Sequence, residues 1–161
     1  MSETSVLFVC LGNICRSPLA EGVFLHLVAA RGASERYRVD SAGTSAYHAG
    51  ETADERSIAV GRKHGVAVPS ISRQLVDEDY QTFDWLVAMD AKNLADMKRD
   101  CPPRLRSKLV RMRDYDPLGS GDVPDPYYGG AGGFDEVYEM VYRCCERFLD
   151  ELEGGGGEAE A

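Results

Sequence analysis

Short β-branched apolar runs, each giving way to a helix-like segment, constrain this chain more than any other feature. Residues 5–10 (SVLFVC), 37–42 (YRVDSA), 85–89 (WLVAM) and 108–112 (KLVRM) read as strands. The first and third are apolar almost throughout, as strands covered on both faces must be. After the first, Leu19, Val23 and Leu27 recur on one helical face beside Ala20 and Phe24, and Gly32 supplies a stop. Ser17 is the expected N-cap of that helix, with Pro18 at its first position. A second helix is expected over 53–64, stopped by Gly65, and a third over 91–99, ended by Pro102 and Pro103. A strongly amphipathic helix follows over 134–152, with Phe134, Val137, Val141, Cys144, Phe148 and Leu152 in helical register. Strands alternating with helices predict an α/β fold: one domain over 1–152, a four-stranded parallel sheet with helices on both faces. Residues 153–161, ending in GGGGEAEA, read as a flexible acidic tail.

In such sheets a site lies outside the carboxyl ends of the strands. Cys10 stands at one such end. Residues 11–16 must then bend from strand to helix, and their N–H groups cannot all be used by either element. Turned inward they form a nest for an anion, reinforced by the helix N-terminus. Gly12 and Asn13 are the residue types that tolerate left-handed backbone there. Arg16 adds a planar fork matched to two phosphate oxygens. The field that binds a dianion also favours a thiolate over a thiol, which makes Cys10 the expected nucleophile. The Ser17 hydroxyl can donate to its sulfur. The bland alternative, a structural cysteine beside a surface arginine, loses ground because strand, Gly-Asn bend and Ser-Pro helix start all surround the pair.

The remaining composition narrows the function. A formal net charge of -9 argues against a nucleic-acid binder or a protein of anionic membrane surfaces. No apolar run nears the roughly 20 residues that span a bilayer, and MSETS does not read as a leader, so a cytoplasmic protein is expected. The five cysteines (Cys10, Cys15, Cys101, Cys144 and Cys145) make a poor disulfide framework. The three histidines are scattered, so no metal set is legible and no cofactor is expected. Residues 114–133, rich in Asp, Pro and Gly, form a long loop of the kind that carries function. Asp125, before Pro126, can be aimed from it over the Cys10 loop.

The stretch VLFVCLGNICRSPLAE resembles the active-site segment of the low-molecular-weight protein tyrosine phosphatases, with Cys10 and Arg16 in a Cys-x5-Arg phosphate loop. VDSAGTSAYHAG, LVAMDAKNL, DPYYGG and FDEVYEMVYRCCERFL extend the resemblance in the same order along the chain. It implies hydrolysis of phosphotyrosine, in proteins or aryl phosphates, through a cysteinyl-phosphate on Cys10. Leu11, Gly12, Asn13, Ile14, Cys15 and Arg16 would bind phosphate, and Asp125 would be the general acid and base. Asp90, at the same sheet edge, is the second candidate for that acid. Asn13, Ser17, Ser41 and His64 would support the loop. Tyr47, Tyr127 and Tyr128 would wall the cleft, with Tyr47 where many members carry Trp. Cys15 is the expected redox partner of Cys10, and a monomer or weak homodimer is expected. Three competing readings share the loop. An arsenate reductase needs a relay of resolving thiols, for which only Cys101 is available. A phosphoarginine phosphatase carries Thr where Ile14 stands. A silent phosphotyrosine-binding module would need neither Cys10 nor Asp125.

Overall fold

The computed structural model describes residues 3–129 and 131–155. Four parallel strands form one sheet in the order β2-β1-β3-β4: β1 Thr4–Cys10, β2 Tyr37–Gly43, β3 Trp85–Ala88 and β4 Leu109–Arg111. Five α-helices accompany them among the described residues: α1 Arg16–Ala30, α2 Glu55–Lys63, α3 Asp77–Thr82, α4 Ala91–Asp100 and α5 Ala131–Asp150. The expected fold class is therefore found.

β1 lies between two neighbours, so its side chains divide between two cores. Val6, Phe8 and Cys10 enter the core beneath α1 and α5, while Leu7 and Val9 enter the core beneath α3 and α4. In the first core Phe24 of α1 meets Phe8 and Tyr37 edge-on at 5.6 Å and Phe148 of α5 at 5.8 Å. Residues 16–20 of α1 are buried almost completely, and Gly22 lies where a Cβ would stand 2.5 Å from the Ala67 carbonyl. That side of the helix is closed by the chain following α2 rather than by solvent.

Helix ends follow the local chemistry only in part. Gly32 and Gly65 take φ of +67° and +77° just beyond α1 and α2, as their stop roles require. Ser17 does not cap α1. Cys15 occupies the N-cap position without a side-chain bond, and Ser17 is the second residue of the helix, fully buried, with its hydroxyl turned to the sheet edge. α3 has no counterpart in the sequence reading. At six residues, with only Asp79 and Tyr80 buried, it is too short to show a repeat.

The long loop is staked at its base. Asp116 accepts from Arg143 of α5 at 2.8 and 3.1 Å, from Arg113 at 2.8 Å and from the Leu118 N–H at 2.9 Å. Those bonds hold its buried carboxyl down at about 2, against the burial that would raise it. At the other end of the chain, Glu153 pairs with Arg36 and accepts from the Tyr37 hydroxyl, so the first residues of the expected tail lie against the start of β2. Residues 156–161 of that tail lie outside the described residues. Among the described residues no helix is long and apolar enough to cross a membrane.

Candidate active site

The loop after β1 is built by pulling its carbonyls outward. Cys10 O accepts from the Thr44 N–H, and Leu11 O from the Ser45 N–H, each at 2.9 Å. Gly12 O accepts from Ser72 Oγ at 2.9 Å, Ile14 O from the Asp54 N–H at 2.8 Å and Cys15 O from Ser57 Oγ at 3.1 Å. With the carbonyls engaged outside, the N–H groups face in. Among the described residues, none from Leu11 to Cys15 donates to a protein acceptor. This is the donor arrangement that an oxyanion fills. Gly43 makes the wrapping possible, since a Cβ there would stand 2.8 Å from Leu11 O and 3.1 Å from the Asn13 nitrogen.

Asn13 takes φ +56°, the left-handed geometry expected of this loop. Its side chain is saturated: Nδ2 donates to Ser17 Oγ at 2.8 Å and to Ser41 Oγ at 3.0 Å, while Oδ1 accepts from the Arg73 N–H at 3.0 Å. Ser41 Oγ in turn donates to Glu21 Oε1 at 2.6 Å. Burial raises the Glu21 carboxyl, and its bonds to Ser41 and Ser70 work against that rise. The Ser17 oxygen accepts from Asn13 and lies 3.0 Å from Cys10 Sγ, where its hydroxyl can donate to an ionised sulfur.

His64 is the correction in this network. It ends α2 as the C-cap residue, exposed, and stacks on Tyr138 with ring centroids 3.9 Å apart. It borders a separate surface hollow with His26, Tyr138, Glu139 and Tyr142. Ser70, Ser72 and Arg73 occupy the supporting positions instead, and the sequence reading named none of them.

Arg16 is 2% exposed and reaches the loop mouth from inside. Its Nη1 donates to Asp90 Oδ2 at 2.7 Å and to Val123 O at 2.9 Å, and its Nη2 lies 3.5 Å from Asp125 Oδ2. Burial alone would make the guanidinium easier to deprotonate, but Cys10, Asp90 and Asp125 together raise its pKa. Asp90 uses its other oxygen to cap α4 through the Asn93 N–H at 2.7 Å. Both its oxygens are thus committed, and it does not line the cavity. Asp125 does line it, half-exposed, with Oδ1 accepting from the Tyr127 N–H at 3.1 Å.

The cavity holds about 150 Å³. Cys10, Leu11, Gly12, Ile14, Cys15 and Arg16 form its floor, and Tyr47, Tyr127 and Tyr128 its walls. Tyr47 and Tyr128 are 84% and 93% exposed, so they are rim residues, whereas Tyr127 is half-buried. His48 also lines the wall, held through Nδ1 by Glu51 at 3.1 Å, and was not foreseen. Cys15 is buried, and its thiol is pushed up to about 12, first by burial and then by Asp54, Asp125 and Cys10. The Cys10 sulfur, a ring of inward N–H groups, the Arg16 guanidinium and the Asp125 carboxyl therefore face one small aromatic-walled space.

The same architecture recurs in known proteins. A sequence model of the family described as low molecular weight phosphotyrosine protein phosphatase matches residues 5–155. The protein of that name from Gallus gallus is 44% identical over 153 residues, covering 91% of this chain and 94% of its own. A protein tyrosine phosphatase from Entamoeba histolytica, solved with Hepes in the active site, superposes with a TM-score of 0.93 at 42% identity, covering 96% of this chain and 99% of that one. A Drosophila arginine phosphatase superposes with a TM-score of 0.84 at 33% identity, covering 91% and 96%. On its sequence match across the whole described sheet, the chain belongs to the low molecular weight phosphotyrosine protein phosphatase family.

Proposed function

We propose that this chain hydrolyses phosphotyrosine, in proteins or small aryl phosphates, by way of a phosphocysteine on Cys10. The observation that carries the reading is the convergence of Cys10, the inward N–H groups, Arg16 and Asp125 on one cavity. The phosphoryl oxygens sit in the nest, against Arg16. The Cys10 thiolate attacks phosphorus as the P–O bond to the phenol breaks, and Asp125 gives that oxygen its proton. Water then attacks the phosphocysteine, giving its proton to Asp125, and sulfur leaves as a thiolate held by Ser17. Arg16 and the nest meet the charge that builds on the equatorial oxygens. Asp90 is assigned to Arg16 rather than to proton transfer, because Asp125 lines the cavity and Asp90 lies behind Arg16, outside the lining.

The Drosophila relative is named an arginine phosphatase, so phosphoarginine is the competing substrate. Ile14 favours the aryl ester: it presents an apolar side chain at the cavity floor, where a hydroxyl could engage a guanidinium or orient water. The decisive experiment compares wild type with Cys10→Ser on phosphotyrosine and phosphoarginine peptides, with acid quench to trap labelled phosphoenzyme. Turnover of phosphotyrosine with trapped phosphoenzyme in wild type, and neither in Cys10→Ser, is expected. Wild-type turnover by Cys10→Ser removes the mechanism, and preference for phosphoarginine removes the substrate.

A further inference from the structure

The first turn of α2 touches both halves of the site. On one side it holds the anion loop, through the Asp54 N–H on Ile14 O at 2.8 Å and Ser57 Oγ on Cys15 O at 3.1 Å. Arg56, between those two residues, faces the acid-bearing loop. Its Nη2 donates to the Tyr127 carbonyl at 3.1 Å. Its guanidinium lies 5.6 Å from the centre of the Tyr127 ring and 4.6 Å from that of Phe134 in α5. Both separations fall within the range of a cation over an aromatic face.

The guanidinium is held from behind. Asp54 accepts from Arg56 Nε and Nη2, each at 3.0 Å, with Oδ1 also taking the Arg56 N–H at 2.8 Å. These bonds keep the Asp54 carboxyl below its usual range, so the pair stays charged. Tyr127 closes the chain of contacts, since its own N–H donates to Asp125 Oδ1 at 3.1 Å. The connection therefore runs from Ile14 through Asp54 and Arg56 to Tyr127 and Asp125, across less than one turn of helix. On the other side of Asp125 the loop is tied at Val123, whose N–H donates to Met89 O at 2.8 Å and whose carbonyl accepts from Arg16 at 2.9 Å, so Arg56 holds the part of the loop that follows the acid.

We infer that Arg56 is a positioning residue for the reaction: it sets Asp125 and the Tyr127 ring over Cys10 by tying their loop to the helix that also holds the anion nest. Two features of an arginine are needed. Only a planar fork can bond the Asp54 carboxylate through two nitrogens while a remaining N–H reaches a carbonyl, and only a flat cation can lie between two rings. Lysine can make one of these contacts at a time. Without Arg56, the nest keeps its Asp54 and Ser57 backbone-directed bonds, so phosphate binding survives while the acid and the ring wall lose their aim. Misplacement of a catalytic group by about 1 Å costs on the order of a hundredfold.

The inference rests on the phosphatase reading, and the test separates the two. Arg56→Ala and Arg56→Lys are compared with wild type on phosphotyrosine peptide and p-nitrophenyl phosphate, with inorganic phosphate as competitive inhibitor and thermal unfolding as control. For Arg56→Ala, kcat/KM on phosphotyrosine should fall roughly ten- to a hundredfold. The loss on p-nitrophenyl phosphate should be smaller, because its leaving group needs no proton, and Ki for phosphate should stay within about twofold of wild type. Arg56→Lys should fall between. In an Asp125→Ala background, the further loss on removing Arg56 should shrink, because Arg56 acts through Asp125. An equal loss on both leaving groups, a parallel loss of phosphate affinity, or full additivity with Asp125→Ala overturns the inference while leaving the phosphatase reading intact. Absence of turnover in wild type instead overturns that reading.

Discussion

Cys10 Sγ and Ser17 Oγ lie 3.0 Å apart, and the serine oxygen is already taken as an acceptor by Asn13. With sulfur as a thiolate, the hydroxyl is the one group of the two that can donate across this contact. A hydrogen bond to a charged group contributes about 1.5–3 kcal/mol, and in the proposed mechanism sulfur regains its full charge as it leaves phosphorus in the second step. Ser17→Ala should slow breakdown of the phosphocysteine by roughly ten- to a hundredfold. Rapid-quench measurement should show accumulated phosphoenzyme and a burst of phenol. Unchanged breakdown with a slower first step would place the hydroxyl's role elsewhere.

Asp90 and Asp125 both approach Arg16, and their substitutions should separate cleanly. Asp90→Asn loosens the guanidinium, leaving Val123 O as its nearest partner. Phosphate affinity and kcat/KM should both fall on the order of tenfold, by the same factor for phosphotyrosine and p-nitrophenyl phosphate. Asp125→Ala should cost about 10²–10⁴-fold with the poor leaving group and much less with the good one. If Asp90→Asn shows the leaving-group dependence and Asp125→Ala does not, the acid has been assigned to the wrong carboxylate.

What the sequence made legible follows from the range of the signal. Cys10, Arg16, Asn13 and Gly43 lie at one strand-to-helix bend and the neighbouring strand end, where local rules about turns and helix termini apply. The strands and α5 carried periodicity long enough to read. Ser17 obeyed a local rule on paper, as Ser before Pro, but its tertiary partner at Cys10 outweighed the N-cap bond. The supporting role of His64 comes from the resemblance alone, since by position it reads as a helix-end residue. Its actual neighbour, Tyr138, is 74 positions away and no pattern announces it. Ser72 and Arg73 reach the loop from 60 positions away, out of a segment with no repeat. Asp90, His48 and Arg56 are each a single polar residue whose role exists only once two distant loops meet.

Asp116 gives a stability prediction with a definite sign. Its folded carboxyl is lowered from 3.8 to about 2, so the stability it contributes is present above the unfolded value and is lost as pH falls through that window. The shift corresponds to on the order of 2 kcal/mol. Asp116→Asn should therefore be less stable than wild type by about that amount at pH 7, and the gap should narrow in urea melts carried down towards the folded value. Because the same carboxylate joins α5 to the stem of the long loop, amide exchange in residues 117–124 should also quicken in the variant. A gap that stays constant with pH would mean that the Arg113 and Arg143 pairs do not discriminate the charged form.

Cys15 shares the floor of the cavity with Cys10, and its thiol, pushed up to about 12, is protonated at neutral pH. Peroxide should convert Cys10 to a sulfenic acid first. Capture by Cys15 requires its thiolate: the S–S bond forms as hydroxide leaves the Cys10 sulfur, and the Cys15 proton must already be gone. The disulfide should therefore form slowly at pH 7 and accelerate roughly tenfold per pH unit over the range where thiolate remains scarce. Wild type treated with peroxide should regain activity with dithiol, and more completely when oxidised at higher pH. Cys15→Ala should lose that recovery as Cys10 proceeds to sulfinic acid. Peptide mapping that finds Cys10–Cys15 linkage at a rate independent of pH would show that the buried thiol is activated in some other way, and mapping that finds no linkage would leave Cys15 as packing behind the loop.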